Sequence, residues 1–354
     1  MLPKSTEPVS APVVYALDFS SWKRSVVCQC FAPARVVFVA SVADVPAGAV
    51  LAAWGMKPFD AALAEGVRVL RLEDGFLRSV GLGVDLIRPM SWVIDGRGIY
   101  YDATRASDLE HLLSNAQFSA AQLQRAQRLR ERIVAQGLTK YNTGGGVWQR
   151  PAGATSVVLV PGQVESDASL AYGAPGIRSN MALLQAARAA HPDAYVVYKP
   201  HPDVLAGLRA RGAGEQEALR WCDEVVEHAP MGELLLAVDH VHVLTSLAGF
   251  EALLRGKSVT CHGQPFYAGW GLTHDAVPHA RRTRRLSLDE LVAGTLIEYP
   301  VYLSRNGSSR AGGGLIAPEQ ALDELVAWRM RAGNKLPWWR KWFRVVLRRV
   351  VGVR

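Results

Sequence analysis

Short apolar runs alternate with amphipathic segments along most of the chain, and this alternation is interrupted once. The interruption is a stretch rich in Gly and Pro, TGGGVWQRPAGATS, at residues 143–156. Buried strands that alternate with helices are typical of parallel α/β sheets. Because a chain of 354 residues exceeds the size of one compact core, we predict two such domains joined by this stretch.

The predicted elements fall on both sides of the interruption. In the first half, VVYALDF, RVVFVA, AVLAAWG and VRVLRL are predicted strands, FDAALAEG a helix and SWVIDGRGIYYD a hairpin, and SDLEHLLSN and SAAQLQRAQRLRERIVAQG are predicted helices with a serine cap. In the second half the alternation restarts with VVLV, the helix SNMALLQAARAA, AYVVYKP, MGELLLAVD, HVHVLTS, the helix LAGFEALLRG and SVTCHG. We therefore predict two Rossmann-like domains that face each other across a cleft, with ligands at the carboxyl ends of the strands.

The net charge of +8 is concentrated at one end of the chain. Seven of the eight net positive charges lie in residues 335–354, so the rest is close to neutral. Binding to nucleic acid usually requires a basic face on the folded domain together with base-reading or stacking motifs. Neither is recognisable, and no nucleic-acid partner is expected.

The chain lacks recognisable targeting or membrane-spanning patterns. No apolar run reaches the about 18 residues that cross a bilayer, and the N-terminal stretch lacks the pattern of a signal peptide. We therefore expect a cytoplasmic protein. Its four cysteines have no paired CxxC spacing and are predicted to be buried small hydrophobic residues: Cys28, Cys30, Cys222 and Cys261.

Four clusters of polar residues follow predicted strands. The last of the four also opens a helix. They lie in RLEDGFLRS, VPGQVESDAS, YKPHPDV and TSLAGFEALL, and the helix of the last motif presents free N–H groups suited to a phosphate. Because the carboxyl ends of parallel strands share one edge, we expect all four clusters to converge on the cleft. Their polar residues are Glu73, Asp74, Arg78 and Ser79; Gln163, Glu165 and Asp167; Lys199, His201 and Asp203; and Thr245 and Ser246.

Each cluster also has a purely structural interpretation. A carboxylate at the start of a loop is often a helix cap or a turn former. His240 and His242 alternate onto one strand face and could ligate a metal, but a place in the core is favoured because no nearby acid completes a site.

Several long motifs resemble the KpsC family of bacterial capsule β-Kdo glycosyltransferases. The resemblance is carried by AAWGMKP, RLEDGFLRSVGLG, DGRGIYYDAT, LTKYN, VPGQVESDASLAYG, VYKPHPDV and TSLAGFEALLRGKSVTCHGQPFYAGWGLT, which span roughly residues 50 to 275. Members of the family often carry two such modules in tandem. This chain has one, and its VPGQVESDAS motif is more similar to the second module.

The resemblance implies a GT-B-like α/β fold. Residues 1–150 would form an acceptor-side Rossmann-like domain, residues 151–318 a CMP-sugar-binding Rossmann-like domain, and residues 319–354 closing helices that end in a C-terminal amphipathic helix. The implied reaction transfers Kdo from CMP-β-Kdo to a Kdo-terminated glycolipid with retention of configuration. Two inversions through a covalent Kdo–aspartate intermediate would explain the retention.

The resemblance also implies roles for individual residues. Asp167 matches the family position proposed to bond to Kdo, and Glu73 is the expected base, with Asp74 as competitor. Glu165 is expected to be a loop residue. We expect no metal and no cofactor besides the donor, because no DxD-like pair is present. The donor would be bound by Gln163, Lys199, His201, Thr245, Ser246 and Gly249, and the acceptor or the sugar carboxylate by Asp74, Arg78 and Ser79.

The last segment, PWWRKWFRVVLRRVVGVR, predicts an interfacial helix. At 100° per residue its aromatic and aliphatic residues share one face and its cations gather on the other. We expect residues 335–354 to attach the protein to the anionic inner face of the cytoplasmic membrane, where a lipid-linked acceptor and other capsule assembly and export proteins would be partners. The alternative is a closing helix that packs on the N-terminal domain.

Two other functions remain open from sequence alone. One is a transferase of the same fold for another CMP-linked nonulosonic acid. The other is a non-catalytic module that binds CMP-Kdo or glycan within a capsule assembly and export complex.

Overall fold

The computed structural model describes residues 12–81, 87–142, 145–305 and 314–332. The predicted membrane helix at 335–354 lies outside these residues. In chain order the strands and helices are β1 (Val13–Leu17), α1 (Ser21–Phe31), β2 (Arg35–Val39), β3 (Val50–Trp54), β4 (Arg68–Asp74), β5 (Ser91–Asp95), α2 (Asp108–Asn115), α3 (Ala120–Ala135), β6 (Val157–Pro161), α4 (Ala168–Gly173), α5 (Asn180–Ala190), β7 (Tyr195–Lys199), α6 (Pro202–Leu205), β8 (Glu224–Val225), α7 (Met231–Ala237), β9 (His240–Val243), α8 (Leu247–Leu254), β10 (Ser258–Cys261), β11 (His274–Asp275), α9 (Leu288–Val292), β12 (Pro300–Leu303), β13 (Leu315–Ile316) and α10 (Pro318–Ala332).

The strands form two sheets within the described residues. The first sheet has the order β13-β12-β5-β4-β3-β1-β2, and the second has the order β11-β10-β9-β6-β7-β8. All neighbours in the second sheet are parallel. The first sheet is mixed, because β5 runs antiparallel to β4 and pairs with an antiparallel β12. The predicted α/β architecture with two sheets is therefore confirmed.

The serine-capped helices begin where the sequence predicts. Ser107 Oγ accepts a hydrogen bond from Glu110 N at 3.0 Å, and Ser119 forms a capping box with Gln122. Ser179 Oγ accepts from Ala182 N at 3.2 Å at the start of α5. Each cap satisfies a backbone N–H that the first helical turn leaves without a partner.

Two predicted elements of the first half are wrong. FDAALAEG is irregular, and SWVIDGRGIYYD contains only β5 followed by a turn. Asp95 Oδ1 accepts from Arg97 N and Gly98 N at 2.9 and 2.8 Å, so its side chain closes the chain on itself just after β5. This local bonding replaces the ladder that the second strand of a hairpin would need.

The chain crosses back to the first sheet near its C-terminal end. Strands β12 and β13, at 300–303 and 315–316, complete the first sheet, although the predicted second domain extends to residue 318. The sequence analysis predicted neither strand. In the structure β12 pairs with β5, and β13 pairs with β12. Helix α10 also returns to the N-terminal half, because Glu319 pairs with Arg125 on α3 at 2.7 Å.

A continuous apolar core joins the two halves. It runs from Phe76 and Leu113 in the first half to Val241, Phe250 and Trp270 in the second. Of the cysteines, Cys222 and Cys261 are buried as predicted, Cys28 is exposed, and Cys30 is half-buried and packs against the apolar core of the first half. Within the described ranges, no helix combines the length and apolarity needed to cross a bilayer.

Candidate active site

Each sheet has a point at which the strand order reverses. In the first sheet β1 lies between β2 and β3, and in the second sheet β6 lies between β7 and β9. The loops that leave two such strands go to opposite faces of the sheet and open a crevice at their carboxyl ends. The crevice of the second sheet is therefore bordered by the loops after β6 and β9.

Side-chain hydrogen bonds tie these two loops together. Thr245 N donates to Gln163 Oε1 at 2.9 Å, and Gln163 Nε2 donates to Thr245 Oγ1 at 3.0 Å. Gln163 N in turn donates to Asn180 Oδ1 at 2.9 Å. This bonding fixes the walls of the crevice, because the buried amide of Gln163 has partners on both sides.

Two cavities open at this edge. The second-sheet cavity, about 380 Å³, is lined by the loops after β7 and before α7, by the start of α8 and by residues 139–141. The interdomain cavity, about 410 Å³, is lined by residues of both halves. The two cavities share Lys140, Tyr141, His201, Ser246 and Leu247, so they form one continuous cleft.

Glu73 projects into the interdomain cavity from the end of β4. Its Oε1 accepts from Asp74 N at 3.0 Å. Burial, together with the charge of Asp74, raises the pKa of Glu73 to about 7. A carboxyl group with such a pKa can take up and release a proton near neutral pH, as a general base must.

Asp167 borders the same cavity from the second sheet. It is the N-cap of α4, and its Oδ1 accepts from Ser169 N at 2.8 Å. The side chain is exposed, and Oδ2 has no hydrogen-bond partner in the described part of the chain. Burial raises the pKa of Tyr101, and the charges of Glu73 and Asp167 both add to this rise. Tyr101 therefore lies within electrostatic reach of both carboxylates.

Glu165, two residues earlier, connects neighbouring segments of the second half through hydrogen bonds. Its Oε1 accepts from Asn180 N at 2.8 Å and its Oε2 from Ala213 N at 3.3 Å. The two oxygens thus bind backbone N–H groups at the start of α5 and in the loop around residue 213, which is a structural role.

Arg78 and Asp74 form an internal pair on the first-sheet side. The Arg78 guanidinium donates to Asp74 Oδ2, to Ser79 Oγ at 2.9 Å and to the Ile87 carbonyl at 3.3 Å, and it is 2% exposed. Asp74 and Arg78 line the interdomain cavity, whereas Ser79 lines neither cavity. Each of its three nitrogens already donates within the protein, which leaves two of the five N–H donors for a ligand.

Lys199, His201 and Ser246 lie together around the second-sheet cavity. Lys199 Nζ donates to the Glu227 carbonyl at 3.2 Å, and burial lowers the pKa of this lysine to about 8. His201 Nδ1 accepts from Asp203 N at 3.2 Å as the cap of α6, so its proton is on Nε2. Burial also lowers the pKa of His201, which keeps the ring neutral near pH 7.

Ser246 caps α8, and its Oγ accepts from Ala248 N at 3.2 Å. Gly249, one turn later, lines neither cavity. A Cβ at Gly249 would overlap the hydroxyl of Tyr267, which donates to the Ser246 carbonyl. The close packing of Tyr267 against α8 therefore explains why position 249 is a glycine.

Several cleft residues were not among the predicted site residues, among them five with polar or aromatic side chains: Trp22, Lys23, Trp54, Tyr101 and Lys140. Lys140 stands where the two cavities meet. The motifs AAWGMKP, DGRGIYYDAT and LTKYN contain three of these five, and their length was a signal that they serve more than the fold. Trp22 and Lys23 lie outside every such motif, at the start of α1.

The paired histidines of β9 belong to a histidine cluster in which His242 is buried and His191, His240 and His262 are half-buried. His242 Nε2 lies 3.0 Å from His191 Nε2, and His242 Nδ1 lies 3.1 Å from His262 Nε2. His242 is 1% exposed. No group of three or more His, Cys, Asp or Glu in the described ranges has the arrangement of a metal site. The structure thus agrees with the core interpretation of His242.

Comparisons with known proteins agree with this architecture. The family model described as "Capsule polysaccharide biosynthesis protein" matches residues 54–146 and 149–302. The structure is similar to two structures of Thermosulfurimonas dismutans KpsC. One, a beta Kdo 2,7 transferase, has a TM-score of 0.73 and 40% sequence identity, and the match covers 89% of this chain and 98% of that one. The other, a beta Kdo 2,4 transferase, has a TM-score of 0.73 and 31% identity, with 90% and 98% covered.

Curated relatives agree as well. The capsule polysaccharide modification protein LipA of Neisseria meningitidis serogroup B is 44% identical over 300 residues, which are 82% of this chain and 43% of LipA. The lipopolysaccharide-processing protein LpsZ of Rhizobium meliloti is 40% identical over 310 residues, 82% of this chain and 70% of LpsZ. The chain thus spans less than half the length of LipA. With the family model matched over most of its length, this chain belongs to the KpsC-type family of capsule polysaccharide biosynthesis proteins.

Proposed function

We propose that the protein is a retaining glycosyltransferase that transfers Kdo from CMP-β-Kdo to a Kdo-terminated glycolipid in capsule biosynthesis. Two carboxylates from opposite sheets, Glu73 and Asp167, border one cavity, and this arrangement supports the proposal above all. A retaining transfer by double displacement needs one carboxylate to attack the sugar and a second group to move a proton.

In the first step the unbonded oxygen of Asp167 attacks the anomeric carbon of Kdo. The bond between this carbon and the phosphate oxygen breaks, and its electron pair leaves with CMP. The configuration is inverted, and Kdo is held as an ester of Asp167. The exposure of Asp167 to the interdomain cavity supports this role.

In the second step an acceptor hydroxyl attacks the same carbon and displaces the Asp167 carboxylate. Glu73 takes the hydroxyl proton, and the second inversion restores the β configuration. The raised pKa of Glu73, about 7, suits this task because a weaker acid is a stronger base once it is ionised.

The second-sheet cavity is the proposed site of the nucleotide. The neutral ring of His201 would donate its Nε2–H to the phosphate, and the ammonium of Lys199 would oppose the charge that develops on CMP as it leaves. Ser246 and the N–H groups at the start of α8 would complete the phosphate contacts. A phosphate held there would be close to Asp167, because His201 and Ser246 border both cavities.

We further propose peripheral attachment to the cytoplasmic face of the membrane through residues 335–354, where a lipid-linked acceptor would be located. This part of the proposal rests on the sequence pattern of cations and aromatic residues.

Product analysis tests the proposal directly. The protein is incubated with CMP-Kdo and a panel of Kdo-terminated lipid acceptors, and the anomeric configuration of the product is determined by NMR. A β-linked Kdo product supports the proposal, and an α-linked product or preference for another CMP-linked nonulosonic acid in donor competition contradicts it.

A further inference from the structure

Lys23 holds an ammonium group among three indole rings on the first-sheet side of the cleft. Its Nζ lies 2.9 Å from the centroid of the Trp54 ring, 5.3 Å from that of Trp22 and 5.9 Å from that of Trp92. Trp22, Lys23 and Trp54 line the interdomain cavity, whereas Trp92 is fully buried behind them. The aromatic faces fix the position of the cation.

The ammonium of Lys23 has no hydrogen-bond acceptor and no ion-pair partner within the described ranges. An ammonium group carries three donors, and a half-buried one normally has partners for them. The nearby acids form no hydrogen bond or ion pair with Lys23 in the described ranges: Asp74 binds Arg78 through Oδ2, its buried Oδ1 has no hydrogen-bond partner, and Glu73 accepts from the backbone through Oε1. Lys23 is thus fixed in place with its donors available.

The position of Lys23 in the fold does not account for this cation. It lies in the first turn of α1, which contains no acid and whose N-cap, Ser20, makes no side-chain capping bond. A cation at this end of a helix is opposed by the helix dipole. Helix stability would be better served by an acid here, so a ligand is the more direct explanation of a lysine.

The location matches a ligand site of the first sheet. Helix α1 follows β1, and Trp54 ends β3, which are the two strands at the reversal of strand order. Glu73, the proposed base, borders the same cavity. A ligand held here would therefore be placed next to the group that removes its proton.

We propose that Lys23, Trp22 and Trp54 form the subsite for the terminal acidic sugar of the acceptor, with the ammonium binding the sugar carboxylate and the indole rings packing on the sugar. This inference rests on the proposed function, because it assigns an acceptor to the same cleft. It moves the task of carboxylate recognition from Arg78, whose guanidinium is engaged internally, to Lys23.

The electrostatics of the site are consistent with this assignment. Burial lowers the pKa of Lys23 to about 8, although the charges of Asp74 and Glu73 act in the opposite direction. A bound carboxylate would favour the ammonium form, and the attraction would be strong in a site screened from water.

The test compares wild type with Lys23→Met, Lys23→Arg and the matched control Lys57→Met. Lys57 is an exposed lysine whose charge also acts on Lys23. Each protein is assayed with CMP-Kdo and two acceptors, a Kdo-terminated oligosaccharide and its carboxyl methyl ester. Binding of the methyl β-glycoside of Kdo and of its methyl ester is measured separately by NMR, without donor.

We expect Lys23→Met to raise KM for the acid acceptor roughly 10- to 100-fold, with little change in KM for the ester and in kcat. Lys23→Arg should recover part of the lost affinity, and Lys57→Met should resemble wild type. Lys23→Gln replaces Lys23→Met if the melting temperature shows that the latter does not fold.

An equal rise of KM for acid and ester in Lys23→Met, or no rise, would overturn the inference. The binding experiment distinguishes failure of the subsite inference from failure of the proposed function. If wild type transfers no Kdo but binds the acid glycoside better than the ester through Lys23, the subsite stands and the reaction is wrong. If acid and ester bind wild type equally, the subsite is wrong whatever the reaction.

Discussion

The two sheets present different surfaces to the cleft at the points where their strand order reverses. On the second sheet, helix N-termini point to the cleft, and their N-cap residues are Asp167 of α4, His201 of α6 and Ser246 of α8. On the first sheet, α1 has no side-chain cap, and the surface consists of Lys23 and two tryptophans.

Under the proposed function, this difference would correspond to a division of labour between the two sheets. Backbone N–H groups and short caps are rigid and recognise a phosphate, which is common to all nucleotide donors. Long side chains and aromatic rings can distinguish one sugar from another. Substitutions on the second sheet should therefore affect the donor and the first step, and those on the first sheet the acceptor and the second step.

The capping bonds leave room for the proposed chemical roles of the same residues. Asp167 and His201 cap short helices and also border the cleft. A cap uses one side-chain atom, Oδ1 in the first case and Nδ1 in the second, and leaves the other atom available. The two interpretations are compatible.

The largest effect is expected for Asp167→Asn. The amide oxygen can still accept from Ser169 N, so α4 keeps its cap, but the amide is a poor nucleophile. Transfer should fall roughly 10³-fold or more. Intact-mass spectrometry should detect a Kdo adduct in wild type and none in the variant. Wild-type turnover by Asp167→Asn would contradict the assignment of the nucleophile to Asp167 on the second sheet.

A smaller effect is expected for Glu73→Gln, which should slow the second step roughly 10²-fold. CMP release in a single turnover should remain fast, and the Kdo adduct on Asp167 should accumulate. Loss of the adduct would instead assign Glu73 to the first step. Asp74 would then become the better base, although its bond to Arg78 makes Asp74→Asn a test of stability as well.

His201→Ala should weaken CMP binding about tenfold, because one hydrogen bond to the phosphate is lost. Calorimetry with CMP measures this, with Lys23→Met as the matched variant on the opposite sheet. The comparison requires Lys23→Met to bind CMP like wild type. Equal losses in both variants would contradict the division of labour.

The pH dependence of transfer should reflect titratable groups on both sheets. Below pH 7 protonated Glu73 cannot take the proton of the acceptor hydroxyl. The kcat/KM for the acceptor should therefore fall about fivefold between pH 7 and pH 6. Above pH 8 Lys23 and Lys199 lose their protons, and the affinities for acceptor and donor should fall. In Glu73→Gln the acid limb should vanish; its persistence would assign that limb to another group.

The smallest effect on the chemistry is expected from deleting residues 335–354. Turnover of short, water-soluble acceptors should stay unchanged, whereas sedimentation with anionic liposomes should be lost, each cation near the surface contributing about 1 kcal/mol. Raising the salt concentration should mimic the deletion, since exposed charges are screened. Unchanged liposome binding with a sharp fall in melting temperature would favour the closing helix.

Much of this protein was determined by the sequence itself. Apolar runs set the strands, and serines at 107, 119, 179 and 246 set the starts of helices, because both depend on neighbours within a few residues. The positions of Glu73, Asp167, His201 and Ser246 after strands of parallel sheets made their convergence predictable, since such strands share their carboxyl edge.

Only the tertiary structure decided which of these groups are available for chemistry. The pairing of β12 with β5, the bond of Arg78 to the Ile87 carbonyl and the packing of Tyr267 against Gly249 join residues that local patterns do not relate. Lys23 and Trp54 stand 31 positions apart in the chain and meet because β1 and β3 are neighbours in the sheet. A local pattern predicts where a strand ends; which side chains meet there depends on the order in which the strands pair.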